Sequence, residues 1–304
     1  MSNKNIITEK LKNINKLIVQ NNVSMKKYTT FKVGGEAKIF ITPLTIDSLS
    51  QALKIISESD YPFFVLGSGS NIIVSDNGYE GIVIYLEKLN KVTVNNNIIT
   101  AETGLSLSKL ANKAKEASLS GLEFSSGIPG SLGGALFMNA GAYGGEMKDV
   151  VESVLTLDHK GNYKEVNAEK LNLSYRDSLL QKENLIAVKA NIKLKKGDKE
   201  KIAAKMKELN KKRKEKQPLS WPSAGSIFKR PENDYAGRLI EEAGLKGYSI
   251  GDAQVSKKHA GFIINKGKAT ANEIKELIKN IQEQVYKMSG IKLEIEPKFI
   301  GKDI

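Results

Sequence analysis

Three glycine-rich or polar segments contain the residues of this sequence that are best suited to chemistry. The first segment is Gly67-Ser68-Gly69-Ser70-Asn71, which lies between two predicted strands. Its backbone N–H groups could converge on an anion, because glycine permits positive φ and a close approach of the backbone. Ile72 stands where a third glycine would be, and a strand follows, so the segment is not the dinucleotide fingerprint. A cradle for a diphosphate and a glycine-rich turn without a ligand both remain open.

The second segment spans residues 127–145 and contains seven glycines among nineteen residues. A plain helix or strand would gain nothing from so many glycines, because each one loses extra conformational entropy on folding. We therefore expect a ligand or another element to pack against this backbone. Ser131 could begin a helix whose N-terminal amides face a phosphate. A close crossing of a helix and a sheet is the alternative.

The third segment, residues 223–231, places the Ser226 hydroxyl three and four residues before Lys229 and Arg230. A hydroxyl beside two cations suits a phosphorylated or carboxylated ligand, and a capped loop is the alternative. Arg176 lies in a separate polar turn, where an ion pair with a neighbouring acid would also explain it. Because only four arginines occur among 47 basic residues, each one suggests that the planar guanidinium matters at its position.

The composition excludes several classes of protein. The net charge of +13 comes mostly from lysines spread along the chain, so we expect a solvated surface and no nucleic-acid partner. The absence of cysteine excludes disulfides, thiolate nucleophiles and cysteine-ligated metals, and it fits a reducing compartment. His159 and His259 lie far apart and no acidic cluster has metal-ligand spacing, so no metal site is expected. No apolar run suits a signal peptide or a membrane span, so we expect a cytoplasmic protein.

The elements that must position these segments alternate at first between strands and helices and then become strand-rich. Apolar spacing and capping residues predict helices over residues 6–19, 47–57, 106–118, 199–216, 235–243 and 270–288. Strands are predicted over residues 37–42, 63–66, 72–74, 82–86, 92–103 (as a hairpin), 151–157, 163–166, 186–194, 261–265 and 292–300. Gly121 is expected to close the helix that Ser106 caps, and Glu294 and Glu296 are expected on one face of the last strand. A domain boundary is expected near residue 200.

Taken in order, the motifs resemble one family, UDP-N-acetylenolpyruvoylglucosamine reductase. The resemblance covers residues 22–301 and rests on the segments 28–35, 66–71, 128–146, 174–178, 225–231, 253–256, 258–262 and 296–301. Several motifs in one order are far more specific than any single motif. The run over residues 252–265 has no long insertion and resembles the short subtype, which lacks an extra tyrosine-bearing loop.

The resemblance implies an α+β fold, in which a two-subdomain FAD-binding region of the vanillyl-alcohol-oxidase (PCMH-like) type precedes a C-terminal α+β substrate domain. The expected domains are residues 1–62, 63–200 and 201–304. FAD is expected to bind non-covalently, since neither His nor Cys precedes residue 159. The implied activity uses NADPH to reduce the enolpyruvyl ether of a UDP-sugar in peptidoglycan precursor synthesis.

The resemblance also assigns residues to roles. Ser226 is the implied proton donor, and Arg176 and Glu296 are its implied catalytic partners. The implied FAD-binding residues are Gly67, Ser68, Gly69, Ser70, Asn71, Ile72, Gly127, Pro129, Gly130, Ser131, Gly133, Gly134, Asn139, Ala140 and Gly141. Tyr175, Lys229 and Arg230 are the implied substrate-binding residues.

Two departures and two alternative functions accompany this hypothesis. Asp252 stands where the family commonly has glycine, and Pro297 follows Glu296 where valine is common, which bears on the strand pairing there. An FAD-dependent oxidase of a small alcohol or sugar on the same fold is the first alternative. A basic nucleic-acid-binding protein is the second. The preference for NADPH over NADH and the oligomeric state stay open, with a monomer as the working expectation.

Overall fold

A computed structural model describes residues 3–59 and 61–302 of the chain. The described residues form a mixed α+β fold, which confirms the expected class. The helices are α1 (Asn3–Lys12), α2 (Ile46–Ser57), α3 (Leu107–Glu116), α4 (Leu132–Phe137), α5 (Ala168–Leu171), α6 (Leu179–Lys182), α7 (Lys199–Lys216), α8 (Ala236–Glu242) and α9 (Ala271–Ser289).

The strands include each predicted segment, in whole or in part, and several short strands that were not predicted. They are β1 (Leu17–Ser24), β2 (Glu36–Pro43), β3 (Phe63–Leu66), β4 (Ile72–Val74), β5 (Tyr79–Tyr85), β6 (Val92–Asn95), β7 (Ile98–Glu102), β8 (Leu119–Ser120), β9 (Gly141–Ala142), β10 (Gly145–Glu146), β11 (Val151–Leu157), β12 (Tyr163–Asn167), β13 (Ile186–Lys193), β14 (Lys195–Lys196), β15 (Ser249–Ile250), β16 (Ala253–Val255), β17 (Ile263–Asn265) and β18 (Lys298–Ile300).

The chain forms two compact units, and neither is continuous in sequence. The first unit comprises Met1–Asn21, Ile39–Ser68 and Gly81–Lys212. The second comprises Asn22–Lys38, Gly69–Glu80 and Arg213–Ile304. Two short N-terminal segments therefore belong to the same unit as the C-terminal third of the chain.

The first unit contains a five-stranded antiparallel sheet in the order β12-β11-β13-β7-β6 and most residues of a second sheet in the order β1-β2-β5-β3. Strand β11 lies between β12 and β13 and buries five of its seven residues, with only Glu152 and Leu155 partly exposed. Helix α3 buries four apolar residues at helical spacing against the core of the first sheet: Leu107, Leu110, Ala111 and Ala114. Ser106 caps α3 as predicted, because its Oγ accepts a hydrogen bond from the N–H of Lys109 at 3.3 Å.

The second unit packs α8 and α9 around the sheet β15-β16-β17. Thr270 caps α9 in a reciprocal capping box with Glu273, and Gly290 ends it in the left-handed conformation at φ +71°. The same core includes Phe31, Val33 and Ile73, which come from the two N-terminal segments. Burial of these apolar side chains joins distant parts of the sequence in one unit.

Three predicted elements differ from the structure. The helix expected over residues 6–19 ends at Lys12, because the chain turns at Lys16 with φ +61° and continues as β1. Gly121 does not close α3. Ser118, at φ +56°, follows that helix, and β8 lies between it and Gly121.

The strand expected over residues 292–300 is shorter, because the chain changes its pairing partner at Pro297. Before this proline, Glu296 N–H donates to Ile227 O at 2.9 Å. After it, Lys298 N–H donates to Asn71 O at 3.0 Å and β18 pairs in parallel with β4. Proline has no N–H to donate, so it is suited to the position at which the ladder is interrupted.

Candidate active site

In the first unit, the backbone of Gly67 passes very close to Ser131. A Cβ atom at Gly67 would lie 2.3 Å from Ser131 Oγ, so no other residue fits without a shift. Ser131 also pairs with Ser106 in an isolated antiparallel bridge. The first two glycine-rich segments therefore meet at Gly67 and Ser131, as a shared binding site would require.

Helix α4 begins after Ser131, as predicted, but its first amides are bound within the protein. The N–H groups of Leu132 and Gly133 donate to Leu105 O and Thr103 O, each at 2.8 Å. The N–H of Gly134 donates to Ser131 Oγ at 3.3 Å. The expectation that these amides face a phosphate is therefore wrong for residues 132–134, because strand-end carbonyls and the capping hydroxyl already satisfy them.

A cavity of about 190 Å³ opens beside Gly67 and Ser68 in the first unit. Its lining offers an aromatic ring, a carboxylate, an amide, hydroxyls and an ammonium group. These come from Ser68, Tyr85, Glu87, Asn90, Ser106 and Lys109, with backbone from Gly67, Gly104 and Leu105. Hydroxyls and a lysine suit phosphate or ribose oxygens, so this set of donors fits part of an anionic dinucleotide such as FAD.

The cavity includes residues that the sequence motifs missed. Tyr85 ends β5, and Glu87 and Asn90 lie in the loop that follows it. Lys109 lies in the first turn of α3, where it is exposed. Their only sequence signal was position, because Tyr85 ends a strand, Glu87 and Asn90 follow that strand, and Lys109 follows the helix cap Ser106.

Asn139 connects the second glycine-rich segment to the turn that contains Arg176. Its side chain is buried, with Nδ2 donating to Glu146 Oε2 at 2.6 Å and to Ser174 O at 3.1 Å. Its Oδ1 accepts from Lys148 N–H at 2.9 Å. The side chain is thus occupied, and a contact with FAD would have to use the Asn139 backbone.

Arg176 is held in a left-handed conformation, with φ +59°, inside the turn closed by Ser174 and Asp177. Gln181 Nε2 donates to Arg176 O at 3.0 Å and to Phe137 O at 2.7 Å, which fixes the turn against the end of α4. The guanidinium carbon lies 5.0 Å from the centre of the half-exposed Tyr175 ring. A cation at this distance from an aromatic ring is attracted by its π electrons, so the Tyr175 ring helps to place the guanidinium.

In the second unit, Ser226 and Glu296 lie on neighbouring extended segments. Ile227 N–H donates to Gly261 O at 3.0 Å, and Ile227 O accepts from Glu296 N–H. Ser226 itself pairs with Phe262 in an antiparallel bridge. The preceding Gly225 has φ +77°, and a Cβ there would meet no atom within 4 Å, so its need for glycine is conformational.

Cations surround these segments of the second unit. Lys229 Nζ lies 3.1 Å from Glu294 Oε2, and the Arg230 guanidinium lies 4.9 Å from the Tyr235 ring centre. Burial, and then the positive charge of Lys229, lowers the pKa of Lys298. A substrate anion that binds Lys229 would have to compete with Glu294.

The predicted site residues are divided between the two units. Those in the first unit are Gly67, Ser68, Gly127, Pro129, Gly130, Ser131, Gly133, Gly134, Asn139, Ala140, Gly141, Tyr175 and Arg176. Those in the second unit are Gly69, Ser70, Asn71, Ile72, Ser226, Lys229, Arg230 and Glu296. The described residues contain no helix that is both long and apolar enough for a membrane span, and no group of three or more potential metal ligands.

Comparisons with known proteins agree with the motifs. Residues 37–167 match the FAD binding domain family, and residues 217–300 match the family described as UDP-N-acetylenolpyruvoylglucosamine reductase, C-terminal domain. A crystal structure of UDP-N-acetylenolpyruvylglucosamine reductase from Thermus caldophilus is 38% identical, with a TM-score of 0.81. The similarity covers 93% of this chain and 99% of that one. The expected arrangement of an FAD-binding region before a C-terminal domain is therefore confirmed.

Curated relatives match along nearly the whole chain. The UDP-N-acetylenolpyruvoylglucosamine reductase of Clostridium novyi (strain NT) is 47% identical over 98% of this chain and 97% of its own length. The protein of the same name from Caldanaerobacter subterraneus subsp. tengcongensis is 49% identical, covering 98% and 99% of the two chains. The chain belongs to the UDP-N-acetylenolpyruvoylglucosamine reductase family.

Proposed function

We propose that this protein uses NADPH to reduce the enolpyruvyl ether of UDP-N-acetylglucosamine-enolpyruvate to UDP-N-acetylmuramate, a step of peptidoglycan precursor synthesis. The observation that carries the proposal is the similarity to reductases of this name over nearly the full length of both chains. We further propose a cytoplasmic monomer that binds neither nucleic acid nor membrane and has domains at residues 1–62, 63–200 and 201–304, the last of which shares a compact unit with Asn22–Lys38 and Gly69–Glu80. The two family matches, to residues 37–167 and 217–300, support a boundary near residue 200.

FAD is the proposed non-covalent cofactor, and the glycine-rich segments are its proposed site. Gly67 and Ser68 suit a diphosphate because they line the polar cavity of the first unit, and Ser131 lies directly against Gly67. The remaining proposed FAD residues are Gly69, Ser70, Asn71, Ile72, Gly127, Pro129, Gly130, Gly133, Gly134, Asn139, Ala140 and Gly141. Once reduced by NADPH, bound FAD supplies the hydride for the reaction.

The proposed chemistry assigns a charge or a proton to each catalytic residue. As the terminal carbon of the enolpyruvyl group receives hydride, its double-bond electrons move to the α-carbon and the attached carboxylate. Arg176 stabilises the resulting enolate charge. Ser226 Oγ donates its proton to the α-carbon, which completes the saturated product. Glu296 orients the intermediate or shares the proton of Ser226, and general acid catalysis of this kind contributes about 10²- to 10⁴-fold.

Three further residues are proposed to bind the substrate. Tyr175, Lys229 and Arg230 would hold its sugar and diphosphate. The exposed ring of Tyr175 can pack on a sugar face, and the two cations can bind phosphate oxygens.

The identity of the reaction product distinguishes the proposed reductase from the alternative, an oxidase of a small alcohol or sugar. The purified protein, loaded with FAD, is incubated without oxygen with NADPH and the enolpyruvyl sugar nucleotide. We expect the mass of the sugar nucleotide to increase by two hydrogen atoms as NADPH is consumed. An unchanged sugar nucleotide, together with fast oxygen consumption when the protein is given a small alcohol or sugar in a separate assay in air, would instead establish the oxidase.

A further inference from the structure

His259 lies two hydrogen bonds away from the backbone of Ser226 within the second unit. Its Nδ1 accepts the N–H of Gly261 at 3.1 Å. The carbonyl of Gly261 accepts the N–H of Ile227, the residue after Ser226, at 3.0 Å. Ser226 also pairs with Phe262. The loop that contains His259 therefore lies alongside the extended segment that contains Ser226.

The His259 ring occupies a space that exists because two neighbours are glycines. A Cβ at Gly237 of α8 would lie 3.2 Å from the ring's Cε1, and a Cβ at Gly261 would lie 3.1 Å from it. The Phe262 ring packs against the imidazole at 5.0 Å, nearly edge to face. Serine also fixes the loop, since Ser256 Oγ accepts the N–H of His259 at 3.2 Å. These contacts on both sides of the imidazole hold it in one orientation.

The bond to Gly261 requires a neutral imidazole. An Nδ1 that accepts a hydrogen bond has no proton of its own. Protonation would place the Nδ1–H group opposite the N–H of Gly261, with no acceptor between the two donors. Burial lowers the pKa of His259, which favours the neutral form. A hydrogen bond to the backbone of His259 itself acts against burial, as does Glu241, whereas the positive charges of Lys246 and Lys216 lower the pKa further.

We propose that neutral His259 is a positioning residue that places Ser226 for proton donation, by holding Gly261 and through it the N–H of Ile227. This inference rests on the proposed function, because it takes Ser226 as the proton donor. It adds to that function a residue that touches neither substrate nor cofactor and acts through the backbone.

Two substitutions of His259 separate its hydrogen bond from its volume. His259→Asn supplies an amide oxygen that can accept the Gly261 N–H and does not titrate. His259→Phe fills the space without an acceptor. The other histidine, His159, packs against Phe63 in the first unit at 4.9 Å, so His159→Phe is a matched control.

Kinetics of the two half-reactions between about pH 5 and pH 8 measure the effect. In His259→Phe we expect flavin reoxidation by the enolpyruvyl substrate to slow about tenfold, within the range for a displaced reacting group, while NADPH reduces the flavin at the wild-type rate. Wild-type reoxidation should fall in acid with a pKa below 6.5, the ordinary value. His259→Asn should keep most of the reoxidation rate at neutral pH, and its rate should not decrease in acid. His159→Phe should match the wild type in both half-reactions.

Amide exchange at Gly261 gives a readout that does not depend on activity. We expect its N–H to be protected at neutral pH in the wild type and in His259→Asn, and unprotected in His259→Phe. Equal protection in all three proteins would overturn the proposal, as would an acid limb that persists in His259→Asn. If His259→Phe does not fold, the pH profile and exchange of His259→Asn decide alone.

Failure of the proposed function would be distinguishable from failure of this inference. A wild-type protein whose flavin is never reoxidised by the enolpyruvyl substrate would remove both the proposed function and the role given to His259. If the wild-type flavin is reoxidised normally and the substitutions of His259 do not change the rate of reoxidation, only the inference is overturned.

Discussion

At the scale of single residues, the account depends most on the hydroxyl of Ser226. Ser226→Ala should leave reduction of the flavin by NADPH unchanged and should slow its reoxidation by the enolpyruvyl substrate by about 10²- to 10⁴-fold, because only the second half-reaction needs the proton. Rapid-mixing absorption spectroscopy measures both steps. Ser223→Ala is the control, since Ser223 lies in the same segment and its carbonyl, not its side chain, accepts the hydroxyl of Thr30 at 2.7 Å. Equal losses in both half-reactions would show that Ser226 is structural.

Sequence alone could identify Ser226, Arg176 and Glu296 as candidates, because motifs preserve residue types and their order. It could not foresee how neighbouring groups are used. Asn139 was predicted to bind FAD, yet its side chain is occupied by Glu146, Ser174 and Lys148. Hydrogen bonds between residues distant in sequence decide which polar groups are available, and they appear only in the folded chain.

At the scale of elements, Asp76 links an N-terminal turn to the start of α9 within the second unit. Its two carboxylate oxygens accept the N–H groups of Ala271 at 2.9 Å and Asn272 at 3.0 Å. Asp76→Ala should lower the free energy of unfolding by about 1 kcal/mol, the typical cost of losing a side-chain cap. Urea denaturation measures this change. Asp76→Asn keeps an acceptor, so its free energy of unfolding should fall clearly less. Equal losses of stability in the two variants would contradict the capping role.

Alanine substitutions of Gly69 and Gly290 distinguish the cost of a steric clash from the cost of backbone strain. Both have left-handed φ angles, +64° and +71°, but a Cβ at Gly69 would lie 1.9 Å from Tyr28 O and one at Gly290 would meet nothing within 4 Å. Gly290→Ala should cost about 1–2 kcal/mol of stability. Gly69→Ala should cost about 3 kcal/mol or more and should also weaken FAD binding. Thermal unfolding and fluorescence titration with FAD measure both effects, and similar losses in the two variants would contradict the close approach at Gly69.

Elements with strong local signals could be predicted, and those decided by distant partners could not. Helix α9 was predicted at residues 270–288 and spans Ala271–Ser289, because its apolar spacing and its Thr270 cap are local. The helix predicted at residues 6–19 was too long, because Ile14, Leu17 and Ile18 continue the helical spacing although the chain turns at Lys16. The pairing of residues 17–24 as a strand depends on residues further along the chain, which local spacing does not contain.

At the scale of the whole molecule, the main feature that was not predicted from the sequence is that each of the two units is built from separate stretches of the chain. Phe31, Val33 and Ile73 pack in one core with Ile227 and Leu239, residues that lie 154 to 208 positions later. The chain passes between units at residues 21, 38, 68 and 80, and of these only residue 68 lies in a glycine-rich segment, which was not predicted as a boundary. Long-range burial of apolar surface, and not any local signal, sets these boundaries.

The central claim concerns electron flow through the whole protein, and an absorption spectrum without oxygen tests it most directly. The FAD-loaded protein is reduced with one equivalent of NADPH, and the enolpyruvyl sugar nucleotide is then added. We predict that NADPH bleaches the flavin band and that the sugar nucleotide restores it completely before any air is admitted. A band that stays bleached with the sugar nucleotide and returns only when oxygen enters would contradict the account.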